Sequence, residues 1–189
     1  MTLRVGINGF GRIGRNVLRA IIESKRKDIE VVAINNRSSL EVCAHLLKYD
    51  SVHGTFPYEI NTSENNLHVG NKKIFVSNET TIDGIRWDKS NVDLVMECTG
   101  KFNNAEECQK HINAGASKVL ISAPAKDADL TVVYGVNDEK INSSHNIISN
   151  ASCTTNCLAP IAKVLNDNFG IEEGFMTTVH SYTGDQPTI

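Results

Sequence analysis

The chain has 189 residues, of which 40% are hydrophobic and 22% charged, and its formal net charge is −3. That is ordinary globular composition, long enough to bury one full core, and it excludes collagen-like, disordered and disulfide-scaffold classes. Basic residues are scattered and no apolar run approaches the ~18 residues that span a bilayer, so neither a nucleic-acid partner nor a membrane is expected.

Leu3, Val5 and Ile7 alternate and then meet glycines, which predicts a first strand running straight from the opening residues with no signal-peptide character. Ile13, Val17, Leu18, Ile21 and Ile22 fall on one helical face. Val31 to Ile34 is a short apolar run suited to a strand buried on both faces. Ser38 with Glu41 reads as a capping box opening a second helix, whose inner face is Leu40, Cys43, Ala44 and Leu47. Residues 50–88 are rich in Asn, Thr, Ser and Gly, and predict small antiparallel strands inserted into the α/β pattern.

The strand–helix rhythm then resumes. Asp93 to Cys98 predicts a strand ending at Thr99-Gly100, and Asn103 with Glu106 predicts the cap of a helix that stops at Gly115. Strands are predicted at 118–121, at 130–136 and at 146–148. This order implies an α/β, doubly wound parallel sheet with helices on both faces, occupying residues 1–150. After it come one helix from Cys153 to Asn168, bent at Pro160 and ended by Gly170, and a strand-like run from Phe175 to Val179. The chain reaches Ile189 in what reads as a loop. One helix and one strand cannot bury a core, so 151–189 is expected to be the incomplete start of a second, α+β domain.

Gly9-Phe10-Gly11-Arg12-Ile13-Gly14 follows the first strand and opens the first helix, the context in which Gly-x-Gly-x-x-Gly marks a dinucleotide site of the Rossmann type. Gly9 permits the turn, Gly11 lets the backbone reach a pyrophosphate, and Gly14 lets helix and strand approach. The position that usually carries an acidic residue for the ribose is Asn36, followed by Arg37. NAD is the expected cofactor, with NADP tolerated because Asn36 brings no charge to repel a 2′-phosphate. Thr99, Gly100 and Ser122 end successive strands and are expected along the carboxyl edge where the cofactor lies.

Cys153 stands at a predicted helix start with Ser152 as its N-cap, and His180 ends the run that returns 27 residues later. A cysteine at a helix N-terminus beside an imidazole exists as thiolate near neutral pH, and so acts as a nucleophile. A free cysteine is more often a small buried hydrophobe, the reading given to Cys43, Cys98, Cys108 and Cys157. The odd count of five cysteines favours a reducing, cytoplasmic setting. Cys157 lies one turn beyond Cys153, but with no second cysteine pair a metal site is not expected. Histidines 45, 53, 68, 111 and 145 are expected to be structural or solvated.

These residues resemble the phosphorylating glyceraldehyde-3-phosphate dehydrogenases. The likeness is carried by Val5 to Arg15, Ala44 to Gly54, Ile121 to Lys126, Ser149-Asn-Ala-Ser-Cys-Thr-Thr-Asn-Cys-Leu-Ala-Pro160 and Thr177 to Thr183. It implies a glycolytic, NAD-dependent oxidation of glyceraldehyde 3-phosphate through a thioester on Cys153, with His180 as base. Ser152, Thr154 and Thr183 would hold substrate or inorganic phosphate. Arg12, Ile13, Asn36 and Ser122 would touch NAD, and the complete family forms a homo-oligomer, a tetramer.

The chain departs from the family pattern at Asn36, where an aspartate is usual, and at Asn78 to Ile82, where an Arg-Asp-Pro usually follows the glutamate. It also ends before the family's substrate-phosphate arginine, most of the catalytic-domain sheet and the C-terminal helix. The 189 residues alone are therefore expected to lack turnover. An inactive dinucleotide-binding fragment and an erythrose-4-phosphate dehydrogenase stand as alternatives.

Overall fold

In the computed structural model, which describes residues 2–181 and 183, the alternating runs become strands and helices in the expected order. They are β1 (Leu3–Asn8), α1 (Arg12–Glu23), β2 (Ile29–Asn35), α2 (Leu40–Lys48), β3 (Tyr49–Asp50), β4 (Gly54–Thr55), β5 (Ile60–Ser63), β6 (Asn66–Val69), β7 (Lys72–Ser77), β8 (Leu94–Glu97), α3 (Ala105–Asn113), β9 (Lys118–Ile121), β10 (Leu130–Thr131), β11 (Ile147–Ser149) and α4 (Cys153–Phe169). Nine strands form one sheet in the order β10-β11-β9-β8-β1-β2-β7-β6-β5. Pairing is parallel from β10 across to β7 and antiparallel through β7, β6 and β5. The polar insertion thus extends the main sheet at one edge.

Two cores form because β1 and its neighbours alternate. Val5 and Ile7 face α1 and α2 and bury Leu18, Cys43 and Leu47, with Val17, Ile21, Leu40 and Ala44 packed around them. Val95 faces the other way, with Ala33, Val119 and Trp87, under Cys108 of α3. Helices therefore cover both faces, as right-handed crossovers require. Chain order runs outward from β1 in both directions, through β2 and through β8. Their junction is the switch point outside which ligands bind in doubly wound sheets. No helix among the described residues is long and apolar enough to cross a membrane.

Both helix caps sit one residue later than expected. Ser39, not Ser38, is the N-cap of α2: its backbone is extended and its hydroxyl accepts from Val42 N. Asn104, not Asn103, caps α3, accepting from Glu107 N at 2.9 Å and donating to Glu107 Oε2 at 2.6 Å. In each case two adjacent residues can cap. The one chosen carries the extended conformation that aims its side chain at the third helical N–H, an interaction worth about 1 kcal/mol.

Three other expectations fail. The strand expected over 130–136 stops at Thr131, because Asn137 Oδ1 takes Val133 N and Gly135, at φ 75°, turns the chain. Phe175–Val179 forms no strand. A strand needs a hydrogen-bonded neighbour, and none lies beside it among the described residues. Cys157, expected to be buried, is exposed, because α4 buries none of its residues. The loop expected at the end of the chain lies mostly outside the described residues.

Candidate active site

The glycine turn is built by close approach. Gly9 has φ +89°, and a Cβ on it would stand 2.8 Å from Thr99 N. A Cβ on Gly14 would stand 2.3 Å from the Gly9 carbonyl oxygen. The first turn of α1 therefore rests directly on the loop, which a side chain at either position prevents. Phe10 is buried beneath, its amide donating to Asn36 Oδ1 at 3.1 Å and its carbonyl accepting from Arg15. Gly11 caps α1 without a side-chain bond and has nothing within 4 Å of where a Cβ would be. The first N–H groups of the helix are thus left without a side-chain cap, beside a Gly11 that is open to approach, an anion-binding arrangement.

A cleft of about 330 Å³ opens here, bounded by Asn8, Gly9 and Gly11 from the first turn and by Asn35, Asn36 and Arg37 after β2. Glu79 to Ile82 with Ile85, and Cys98, Thr99, Lys101 and Phe102, complete it. Of the residues expected at the cofactor, Gly9, Gly11, Asn36 and Thr99 line this cleft. Phe10, Arg12, Ile13, Gly14, Gly100 and Ser122 do not. Phe10 and Gly14 support it from below. Arg12 turns to Asp50 at 3.2 Å, and Ile13 stands half exposed instead of packing on the core. Ser122 hydrogen-bonds Cys98. Asn36 spends both ends of its amide, accepting from Phe10 N and donating to Cys43 Sγ at 3.2 Å.

Asn8, Asn35 and the Glu79–Thr81 segment are lining residues that the glycine motif does not reveal. The signal for the last was available: β7 is the third parallel strand, so the residues after it must reach the same carboxyl edge. A glycine turn, an uncapped helix start and a cleft at the switch point fit a dinucleotide.

The second cluster begins where β11 leaves the sheet. β11 is parallel to β9, so its end opens on the same edge as the glycine turn, three strands away from β1. Ser149 Oγ donates to Ala123 O and accepts from Ala151 N, which holds Ala151 at φ 56°, a left-handed conformation uncommon outside glycine. Ser152 accepts from Thr155 N at 2.9 Å and caps α4, so its hydroxyl is committed to the helix. Asn156 Nδ2 donates to the carbonyls of Asn150 and Ser152, closing the loop from the helix side. Cys153 is therefore the first residue of α4.

Cys153 Sγ lies 3.1 Å from His180 Nε2. His180 Nδ1 faces the Ser181 carbonyl, which only accepts. Nδ1 therefore carries the proton, and Nε2 is free to take one from the thiol. The imidazole hydrogen bond, followed by the hydroxyl and N–H of Thr154, lowers the Cys153 pKa. The Ser181 carbonyl and then the sulfur raise that of His180. Both directions favour a thiolate–imidazolium pair. The other side is Cys98, pushed up to about 11 by burial, and Cys108, pushed up to about 12 by the same cause. Cys153 and His180 are both exposed and line no part of the 330 Å³ cleft. Thr154 is half-buried beside Cys153, and Thr183 is exposed in irregular chain beyond His180.

Comparison with known proteins places two family profiles on the chain. One, described as glyceraldehyde 3-phosphate dehydrogenase, NAD binding domain, matches residues 3–105. The other, the C-terminal domain of the same family, matches 152–189. A glyceraldehyde-3-phosphate dehydrogenase of Xanthobacter flavus is 58% identical over 189 residues, all of this chain and 56% of the relative. One of Geobacillus stearothermophilus is 56% identical over 187 residues, 98% of this chain and 55% of the relative. Glyceraldehyde-3-phosphate dehydrogenase 1 of Bacillus subtilis is 54% identical over the same share. The chain spans just over half the length of these curated relatives.

Proposed function

The chain belongs to the glyceraldehyde 3-phosphate dehydrogenase family, and on that footing we propose that it carries the nucleotide site and the nucleophile of a phosphorylating, NAD-dependent oxidation of glyceraldehyde 3-phosphate. The observation that carries this reading is the Cys153 sulfur 3.1 Å from His180 Nε2 at the start of α4, on the sheet edge that bears the glycine turn.

Gly9, Gly11 and the first N–H groups of α1 would hold the pyrophosphate; Asn36, its amide held by Phe10 N and Cys43 Sγ, would line the adenosine ribose side, and Thr99 the far wall. Bound NAD supplies the hydride acceptor. The Cys153 thiolate attacks the aldehyde carbon, a C–S bond forms, and the carbonyl electron pair moves onto oxygen. The Cys153 N–H at the helix start would stabilise that developing charge. His180 gives its proton to the oxygen, leaving a hemithioacetal, and takes it back when the carbon is oxidised to a thioester. Inorganic phosphate then attacks the thioester carbon, expels the thiolate and leaves as the acyl phosphate, 1,3-bisphosphoglycerate. Splitting the reaction this way keeps the oxidation energy in the thioester instead of losing it to water.

Thr154 and Thr183 would approach substrate or phosphate, while Ser152 would contribute through the cap that fixes Cys153. We assign 1–150 to the nucleotide-binding part and 151–189 to the beginning of the catalytic part. A reducing, cytoplasmic setting agrees with five free thiols. The uncovered apolar side chains of α4 agree with a homo-oligomer or further chain packing there.

In a chain completed with the C-terminal portion of the Xanthobacter flavus relative, NADH formation from glyceraldehyde 3-phosphate should require inorganic phosphate and yield the acyl phosphate. Equal rates without phosphate, giving the free acid, would contradict the assignment.

A further inference from the structure

A row of polar side chains crosses the sheet just under the floor of the cleft. Ser77, Asn35, Asn8 and Glu97 are register partners on the adjacent strands β7, β2, β1 and β8. Asn8, Asn35, Glu97 and His111, which joins the row from α3, are all buried. Asn8, Asn35, Glu79 and Thr99 reach the cleft; Glu97 and His111 do not.

Every hydrogen-bond direction in this row is fixed from outside it. The Trp87 indole nitrogen can only donate, and it donates to His111 Nδ1 at 3.0 Å, so the His111 proton is on Nε2. Nε2 donates to Glu97 Oε2 at 3.0 Å. At the other end, the backbone of Glu79 grips the Asn35 amide at both ends: Glu79 N donates to Asn35 Oδ1, and Asn35 Nδ2 donates to Glu79 O. Asn35 Nδ2 therefore faces Asn8 Oδ1, at 2.9 Å, which leaves Asn8 Nδ2 to donate to Glu97 Oε2 at 2.6 Å. Thr99 N donates to Glu97 Oε1 at 2.7 Å. The Thr99 hydroxyl accepts from Lys101 N, so its own proton goes to Glu97 Oε1 as well. Four donors converge on one carboxylate that is 1% exposed.

We propose that Glu97 is the positioning residue of the cofactor cleft: an anion with no contact to the ligand, whose acceptor oxygens hold Asn8 and Thr99, and through Asn8 the Asn35–Glu79 wall, in the arrangement that binds a dinucleotide. This rests on the dinucleotide reading of the cleft. Four adjacent strands twist relative to one another, and nothing in their backbone pairing sets where their last side chains point. The carboxylate does so because all its partners are donors. Glutamine in its place has the same size but turns one acceptor into a donor, which meets either Asn8 and His111 or, with its amide reversed, the Thr99 backbone N–H. His111 cannot change tautomer to accept, because Nδ1 is committed to the indole. Asn8 cannot flip, because Asn35 is committed to the Glu79 backbone.

The test is NAD titration of the 189-residue chain. Glu97→Gln should weaken binding about tenfold or more, the scale of one lost hydrogen bond to a charge. Val119→Ala, a truncation in the core beside α3 away from the cleft, should lower thermal stability yet leave the affinity within about twofold of wild type, since core cavities act on global stability. His111→Phe, remote from the cleft, should weaken NAD binding several-fold, and His111→Gln should restore it.

Wild-type affinity in Glu97→Gln, or an equal loss in Val119→Ala, overturns the proposal. If Glu97→Gln does not fold, equal affinity in His111→Phe and wild type overturns it. A wild-type chain that binds no NAD overturns the reading of the cleft itself, and this inference with it.

Discussion

Cys153→Ala should end turnover in the completed chain, a loss of at least about 10⁴-fold of the kind seen when a covalent nucleophile is removed. The reason is local. Cys157 is the nearest other thiol in sequence, one helical turn further along, and it has neither the helix start nor a histidine beside it. Burial pushes the thiols of Cys43, Cys98 and Cys108 up, away from the thiolate form. No second sulfur is prepared to form the proposed thioester. Mass spectrometry of the completed wild-type protein with substrate, NAD and no phosphate should find the acyl group on the peptide containing Cys153. Turnover within tenfold of wild type in the alanine variant would place the nucleophile elsewhere.

The second large effect is expected from Gly14→Ala. Its Cβ would meet the Gly9 carbonyl oxygen at 2.3 Å and Ile7 Cγ2 at 3.0 Å. The first contact is backbone, so α1 has to lift away from the turn. Overpacking of this kind costs about 1–3 kcal/mol, and the displaced helix start takes its N–H groups with it. NAD affinity should therefore fall at least about tenfold, together with thermal stability, since each 1.4 kcal/mol of lost interaction is tenfold in binding. Gly11→Ala separates the two consequences. Gly11 has φ −74° and open space around it. Alanine there should fold with unchanged stability and yet bind NAD weakly, because its methyl occupies the path proposed for the pyrophosphate. Wild-type affinity in both variants would mean that the dinucleotide does not use this turn.

The sheet was legible because β1, β2 and β8 are apolar runs closed by turn residues, a pattern that needs no tertiary information. Cap positions were legible only to within a residue. Ser38-Ser39 and Asn103-Asn104 each offer two chemically equal candidates, and backbone conformation decides between them. Phe175–Val179 has the composition of a strand, but strands form by pairing, and composition cannot supply the partner. Cys157 was expected inside because a free cysteine usually packs as a small hydrophobe, yet α4 buries none of its residues.

At the site, the glycine spacing marked the turn, and the Ser-Cys start of a helix marked the sulfur. The meeting of Cys153 with a histidine 27 residues away was suggested by a returning strand that does not form; irregular chain brings them to 3.1 Å instead. His111 looked like an ordinary histidine because its partners, Trp87 and Glu97, lie 24 and 14 residues away and approach only through the sheet.

The rate of Cys153 alkylation by a neutral electrophile, followed against pH on this chain, measures the thiolate directly. The account predicts a midpoint below the ~8.5 of an unperturbed cysteine and a shift back toward that value in His180→Asn. A midpoint at or above ~8.5 in the wild-type chain, unmoved by His180→Asn, would mean that helix start and imidazole do not activate the sulfur.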